Sequence, residues 1–197
     1  VIRRAVDVLV SAFALALSAP VLALAALAIR LESAGPVVYR QRRAGLQGRD
    51  FDVLKLRTMV DGAEALGAGL AVDEDDPRIT RVGAFLRRTS IDELPNLVNV
   101  LRGDMSLIGP RPTLPAQVEQ YTERQRGRLA IRPGITGWAQ VNGRASLPWG
   151  ERIELDLYYI EHRSLALDLR ILRRTPAMVL GGSGLYKGHT GGWEGKL

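Results

Sequence analysis

VIRRAVDVLVSAFALALSAPVLALAALAIRLESAGP, residues 1–36, is almost unbroken apolar sequence between Val8 and Ile29. As a helix that run rises about 33 Å, enough to cross a hydrocarbon core of about 30 Å. Three readings compete. A cleaved leader has the right basic start at Arg3 and Arg4, but its apolar region is normally shorter. A plain spanning helix is the simplest reading. A hairpin that dips into the bilayer and returns is the third, and two details favour it. Pro20 lies mid-segment and removes a helical hydrogen bond, so a bend is expected there. Arginines flank both ends: Arg3 and Arg4 before, and Arg30, Arg40, Arg42 and Arg43 after. Positive flanks tend to stay cytoplasmic, and a simple span would export one of the two clusters. From the residues alone the hairpin and the span stand level, with the leader third.

The rest of the chain bounds the chemistry. Its 197 residues suit one domain, or one domain with an appendage. With no cysteine there is no disulfide, thiolate zinc site or thiol catalysis. Lys plus Arg exceed Asp plus Glu by 27 to 21. This balance points to an anionic partner: nucleic acid, acidic lipid or a phosphorylated small molecule.

After the apolar segment, GPVVYRQRRAG (35–45) and GRDFDVLKLRTM (48–59) read as two strands of a β-hairpin. Lys55 and Arg57 then share one face, which alone reads as a solvated basic strand. DGAEALGAGLAVDEDD (61–76) is small, acidic and Gly-interrupted, so a loop is expected. Its DEDD ending resembles an acidic metal motif. Asp76 followed by Pro77 is better explained as a helix start, with Ile79, Val82, Phe85 and Leu86 as the apolar stripe.

SIDELPNLVNVLRGDMSLIGPRP (90–112) carries the chemistry. Pro95 must lie in the first turn of a helix, since deeper inside it costs about 3 kcal/mol. Asp92 or Glu93 therefore sits at or beside the N-cap. Leu94, Leu97, Val98 and Leu101 make the buried stripe, and Gly103 stops the helix. Capping explains one acid but not two, because adjacent helical side chains diverge by about 100°. Divergent neighbours suit separate tasks, such as a nucleophile or base and a metal ligand. Arg87 and Arg88 precede the pair. GPRP (109–112) stiffens the backbone around Arg111, which suits a fixed two-pronged grip on phosphate. RPGITGWAQVNGR (132–144) adds Arg132, Gln140, Asn142 and Arg144. No GxGxxG or GxxxxGK[ST] occurs, so a dinucleotide fold and a P-loop are unsupported. His162 and His189 are isolated and read as surface or packing residues. What remains is a phosphate or nucleotide site of arginines, carboxylates and a divalent ion.

The blocks GPVVYRQRRAG, FDVLKLRTM, DPRITRVGAFLRRTSIDELPNLVNVLRGDMSLIGPRP, RPGITGWAQVNGR and LDLYYIEHRSLALDLRILRRT strongly resemble the bacterial sugar transferase family. Its members are monotopic polyprenyl-phosphate phosphoglycosyl transferases. The resemblance runs from Ile2 to about Gly184 with the blocks in family order. It implies transfer of a sugar 1-phosphate from a UDP-sugar to polyprenyl (undecaprenyl) phosphate at the cytoplasmic face of the bacterial inner membrane. It tips the level choice toward the dipping hairpin. By the same resemblance Asp92 is the nucleophile, forming a phosphosugar-aspartyl enzyme as UMP leaves. Glu93 is the Mg2+ ligand, with Asp92 beside it. Lys55, Arg87 and Arg111 match substrate-binding positions, with Arg57, Gln140 and Arg144 as weaker matches. Ser18 and Pro20 match the membrane bend, except that the family commonly has Ser directly before this proline and here Ala19 intervenes.

The implied architecture is α+β and mostly α: a re-entrant membrane helix (1–34), then a membrane-associated catalytic domain (35–184) with a small β-hairpin and interfacial amphipathic helices. The tail (185–197) has no assigned role. The chain reads as a minimal, trimmed catalytic form. Its implied partners are the UDP-sugar, polyprenyl phosphate and membrane lipids, with no nucleic acid. Two rivals remain: a glycosyltransferase using DEDD and releasing UDP, and a membrane-anchored adaptor binding acidic lipid or nucleic acid through its arginines. The sugar, the glycan pathway and the oligomeric state are not encoded legibly.

Overall fold

The computed structural model describes residues 2–63 and 75–181. The first half of DEDD, His189, the expected boundary at 184 and the tail lie outside the described residues. The fold is mostly helical α+β, with two small two-stranded sheets.

Helix α1 (Ile2–Glu32) runs unbroken through Pro20. Two arms separated by a turn, as the re-entrant hairpin requires, are not seen. Proline removes one hydrogen bond but leaves the flanking turns intact, so a helical assignment survives it. Ser18 Oγ donates to the carbonyl of Leu15 at 3.2 Å, the short back-bond open to a serine inside a helix. The helix is apolar and largely bare: Phe13 is 72 % exposed, and Leu9, Leu17 and Leu24 are similar.

Both ends of α1 grip the rest of the protein. Near its start Arg4 donates to the carbonyls of Val100 and Leu101, closing the C-terminal end of α3 (Asn96–Arg102). Asp7 accepts from Ser106 Oγ at 2.7 Å and Leu107 N at 3.1 Å, and Arg3 pairs with Asp168 at 2.8 Å. Near its end Ala25 and Ile29 pack with Leu56 and Leu86. The Glu32 carboxylate accepts from Arg81 N and Val82 N, capping α2 (Arg81–Thr89). Both ends of the helix therefore contact the domain that follows it.

The expected hairpin is present: β1 (Val38–Ala44) pairs antiparallel with β2 (Asp50–Leu56), with Tyr39 opposite Lys55. A second pair, β3 (Ser106–Ile108) parallel to β4 (Gly134–Thr136), was not anticipated, because three-residue strands carry no periodicity to read. Between them lie α4 (Pro115–Glu119) and α5 (Glu123–Arg126). Short α6 (Trp138–Val141) follows β4, then α7 (Trp149–Glu161) and α8 (Leu165–Gly181). Helix α7 is a core helix, burying Ile153, Leu157 and Tyr159. Helix α8 buries Leu167 and Ile171 but exposes Leu165, Leu169, Leu172 and Leu180. Only α8 thus has the apolar outer face expected of both.

Local starts and stops correct several expectations. Asp76 does not cap α2: its Oδ1 accepts from Arg78 N at the turn before the helix, both carboxylate oxygens close on the Arg78 guanidinium, and Thr80 caps α2 by accepting from Gly83 N. Ile79 precedes the helix and bridges to Met59, while Phe85 is exposed. Gly83 is the contact point of α2 with the chain after β2: a Cβ there would lie 2.0 Å from the Thr58 carbonyl oxygen. Helix α3 stops at Gly103 as expected, in the left-handed region at φ 95°. Its buried face is Asn96, Leu97, Asn99 and Val100, with Leu94, Val98 and Leu101 half-buried. Asparagine belongs there because Asn99 Oδ1 accepts from Leu54 N, and its Nδ2 donates to the Asp52 carbonyl. One side chain thereby stitches β2 to α3 at the sheet edge.

Candidate active site

Helix α2 ends at Ser90, a non-glycine residue in the left-handed region at φ 56°. That conformation costs roughly 1 kcal/mol and turns the chain sharply. The next residues, Ile91–Glu93, form one 3-10 turn, with Pro95 just before α3. Neither acid caps α3. Both project from the turn, at about 120° to each other. The sequence expectation of two diverging carboxylates holds, on a tighter helix than assumed.

The surroundings make the two acids different. Glu93 Oε1 accepts from Lys55 Nζ and from Arg111 Nη2, both at 2.7 Å, and Oε2 has a longer 3.5 Å contact with Arg111 Nη1. Burial opposes its charge, but Arg111 and Lys55 outweigh burial and hold Glu93 well below the usual carboxylate range. Asp92 is buried, at 8 % exposure, and its carboxylate has no hydrogen bond among the described residues. Burial pushes it up to about 6; Glu93 adds to the rise, while Lys55, Arg87 and Arg111 pull against it. Lys55 is itself drawn down by burial, with Glu93 opposing. One carboxylate is thus committed to a clamp, and its neighbour is largely buried, uncommitted and close to cations.

Arg111 is placed by the β3/β4 pair. Gly109 N donates to Thr136 O and Gly134 N to Pro110 O, so GPRP lies against PGITG. The two loops touch so closely that a Cβ on Gly134 would lie 2.1 Å from Gly109 N. Behind Arg111 is a buried network. Arg128 Nη2 donates to the Arg111 carbonyl at 3.0 Å, Nη1 to Tyr121 OH at 2.7 Å, and Nε to Asp156 Oδ2 at 2.7 Å. Thr113 joins it through Tyr121 OH, and its carbonyl accepts from Ala44 N of β1.

The remaining expected residues divide. Arg87, in the last turn of α2, is near enough to act on the Asp92 charge. Arg144 also feels Asp92, Glu93 and Arg111, and reaches Ser90 Oγ at 3.4 Å. Gln140 is buried with both amide atoms unpartnered. Arg57 is not brought to the cluster. Its buried guanidinium donates to the Ser33 and Ala34 carbonyls and to Ser33 Oγ, closing the C-terminal end of α1. Orphan helix carbonyls attract a guanidinium, and strand alternation alone does not tell the two destinations apart. Arg132 is likewise spent on the Gly103 carbonyl. His162 stacks on Tyr158 at 4.2 Å, in keeping with a packing role.

Sequence reasoning missed Asn99, Arg128, Asp156 and Arg152. Asp156 carried one signal, an acid on the apolar face of LDLYYI; the others carried none. Among the described residues no third acid or histidine gathers with Asp92 and Glu93 into a closed metal cage. The two hard carboxylates are of the donor type that fits Mg2+, which binds through one or two carboxylates and completes its shell with water and phosphate oxygens.

Residues 1–182 match the family model described as bacterial sugar transferase. The chain is 41 % identical to the uncharacterized sugar transferase EpsL of Bacillus subtilis, over 95 % of this chain and 91 % of that protein. It is 49 % identical to the UDP-glucose:undecaprenyl-phosphate glucose-1-phosphate transferase of Caulobacter vibrioides, over 90 % of this chain and 69 % of that one. It is 44 % identical to the UDP-N-acetylgalactosamine-undecaprenyl-phosphate N-acetylgalactosaminephosphotransferase of Aeromonas hydrophila, over 93 % of this chain but 44 % of the relative.

Proposed function

Because the chain belongs to the bacterial sugar transferase family, we propose that it transfers a sugar 1-phosphate from a UDP-sugar to polyprenyl phosphate through a phosphosugar-aspartate. The observation that carries the reading is the contrast between largely buried, uncommitted Asp92 and clamped Glu93. An Asp92 Oδ attacks the phosphorus that bears the sugar. The bond from that phosphorus to the bridging oxygen breaks, and UMP leaves with the electron pair. A polyprenyl phosphate oxygen then attacks the same phosphorus, which restores the carboxylate. Each step brings anion to anion, so the cations must lower the repulsion. Lys55 and Arg111 sit on Glu93 in the free protein and are placed to shift onto phosphate oxygens; Arg87 adds positive charge from α2. Glu93, with Asp92, would hold Mg2+, which supplies further charge neutralisation at the phosphates.

Identifying the released nucleotide tests the reaction. UMP, together with covalent capture of radiolabelled phosphosugar in the absence of acceptor, is expected; UDP release would overturn it. Arg111→Lys keeps the charge but loses the two-pronged donor. It is expected to lower kcat/KM for the UDP-sugar about tenfold or more. Kinetics equal to wild type would leave Arg111 a turn residue only.

The membrane topology belongs to the same reading. Bare leucines and phenylalanine on α1 and leucines on α8 suit burial in lipid. The anchors from Arg4 and Asp7 to α3 and β3, and from Glu32 to α2, keep both ends of α1 on the domain's side. We place that side in the cytoplasm, with α1 entering the bilayer from that face and returning to it by a bend of the continuous helix at Pro20 rather than by a turn between two arms. The chain has no cysteine, so Ile2→Cys and Arg42→Cys, both at exposed positions, are clean reporters. Neither should react with an impermeant thiol reagent on intact cells, and both should react after permeabilisation. Labelling of position 2 from outside would restore the plain span.

A further inference from the structure

Trp149, in the first turn of α7, packs against Tyr121, Ile153 and Leu157. Two guanidiniums lie over its ring: Arg128 at 5.3 Å and Arg152 at 4.9 Å from the centroid. Their situations differ. Each Arg128 guanidinium nitrogen has a partner, in Asp156, Tyr121 or the Arg111 carbonyl. Arg152 has no carboxylate, carbonyl or hydroxyl partner among the described residues, and its Nε is shut off from water without an acceptor. Arg144 Nη1 is in the same condition. A guanidinium N–H that is dry and unbonded forfeits a charge-assisted hydrogen bond, a cost that lasts until a ligand supplies the acceptor. No acid meets it in this structure: Asp156, one turn further along α7, is bound to Arg128 through Oδ2, and its Oδ1 is left unpartnered without reaching Arg152.

We infer that Arg152 is a phosphate-binding residue of this site, taking with Arg111 and Arg144 a phosphate of one of the two phosphorylated substrates. The Trp149 ring fixes the guanidinium plane by cation–π stacking and leaves its N–H edge for a ligand. The chain from Trp149 through Arg128 to the Arg111 carbonyl ties this cation to the GPRP loop. Burial, then Arg128 and Arg111, pull Arg152 down to about 10, which leaves it cationic at neutral pH and crowded by like charge. An arriving anion relieves both the missing acceptor and the crowding. The inference rests on the phosphosugar-transfer reading for the identity of the phosphate.

Arg152→Gln and Arg152→Lys test it in the detergent-solubilised full chain, with UDP-glucose or UDP-N-acetylgalactosamine, whichever wild type turns over, and undecaprenyl phosphate. The Gln variant is expected to raise the KM of one substrate about 10- to 100-fold, with Lys recovering much of the loss. A raised donor KM with slowed UMP release in the absence of acceptor assigns the contact to the nucleotide diphosphate. A raised acceptor KM with that half-reaction intact assigns it to the polyprenyl phosphate. Both KM values unchanged, or a fall in kcat alone with a lowered Tm, would overturn the inference while leaving the reaction standing. If wild type turns over neither donor, the reaction reading fails instead. Inorganic pyrophosphate binding by calorimetry then decides for Arg152: affinity weakened about tenfold or more in Arg152→Gln supports it, and equal affinity overturns it.

Discussion

Asp92→Asn is expected to abolish turnover and yet raise the melting temperature. The amide keeps the shape of the carboxylate but cannot attack phosphorus, so activity should fall by on the order of 10^4 or more, with no covalent capture. The stability gain follows from burial. Asp92 is pushed from its ordinary 3.8 up to about 6 in the folded protein. A raised acid binds its proton more tightly when folded. Its stabilising contribution is therefore complete below pH 3.8 and lost as pH rises through about 6. At about pH 7.5 wild type bears the whole cost of an ionised, desolvated carboxylate, up to about 3 kcal/mol for a shift of this size. Asparagine avoids it, and a gain of about 1–3 kcal/mol raises Tm by roughly 2–12 °C in a chain of this length. Melting curves in EDTA check this, and the gain should shrink toward pH 5 as wild-type Asp92 protonates. An inactive variant with unchanged or lower Tm at both pH values would mean that the site does not hold Asp92 under strain. For the same reason the donor half-reaction should lose rate on the acid side of about pH 6.

How far these features could be read in advance depends on the range of the forces involved. The β1/β2 hairpin and the stop of α3 at Gly103 are local: alternation, turn chemistry and left-handed glycine act within a few residues. The divergence of the acidic pair was legible because it follows from helical geometry between adjacent residues, whereas Pro95 pointed to an N-cap that neither acid occupies. Arg57 and Arg111 show the limit. Both are arginines in motif blocks, yet one closes the end of α1 and the other reaches Glu93. The difference is set by which orphan acceptor the fold brings near, not by anything beside them in sequence. Asp76 was misread for a related reason. Its cap-type bond to Arg78 N is made, together with a bidentate pair to the Arg78 side chain, but it closes a turn and the helix starts four residues later behind Thr80. Arg152 is the extreme case, since its meaning lies in contacts that the fold does not provide.

The second large effect concerns the buried support of Arg111. Arg128 and Asp156 are 4 % and 1 % exposed, and Asp156 Oδ1 has no partner. Burial pushes the Asp156 carboxyl up, and Arg128 pulls it back. Asp156→Asn leaves an unpaired guanidinium in the interior, which typically costs about 3–5 kcal/mol. A loss of roughly 6–20 °C in Tm is therefore expected. Stability and function should then separate. Replacing both partners by apolar residues, Arg128→Met with Asp156→Leu, removes the stranded charge and should return most of the lost stability. It cannot restore the bonds from Arg128 to the Arg111 carbonyl and Tyr121 OH. The GPRP loop then loses its anchor, so kcat/KM for the UDP-sugar should stay depressed by about tenfold or more although the protein melts near wild type. Paired Tm and kinetic measurements on the single and double variants make the comparison. A double variant with full activity would show that Arg111 is held by its own prolines. An Asp156→Asn protein that melts like wild type would mean that the Arg128 charge is satisfied without its carboxylate.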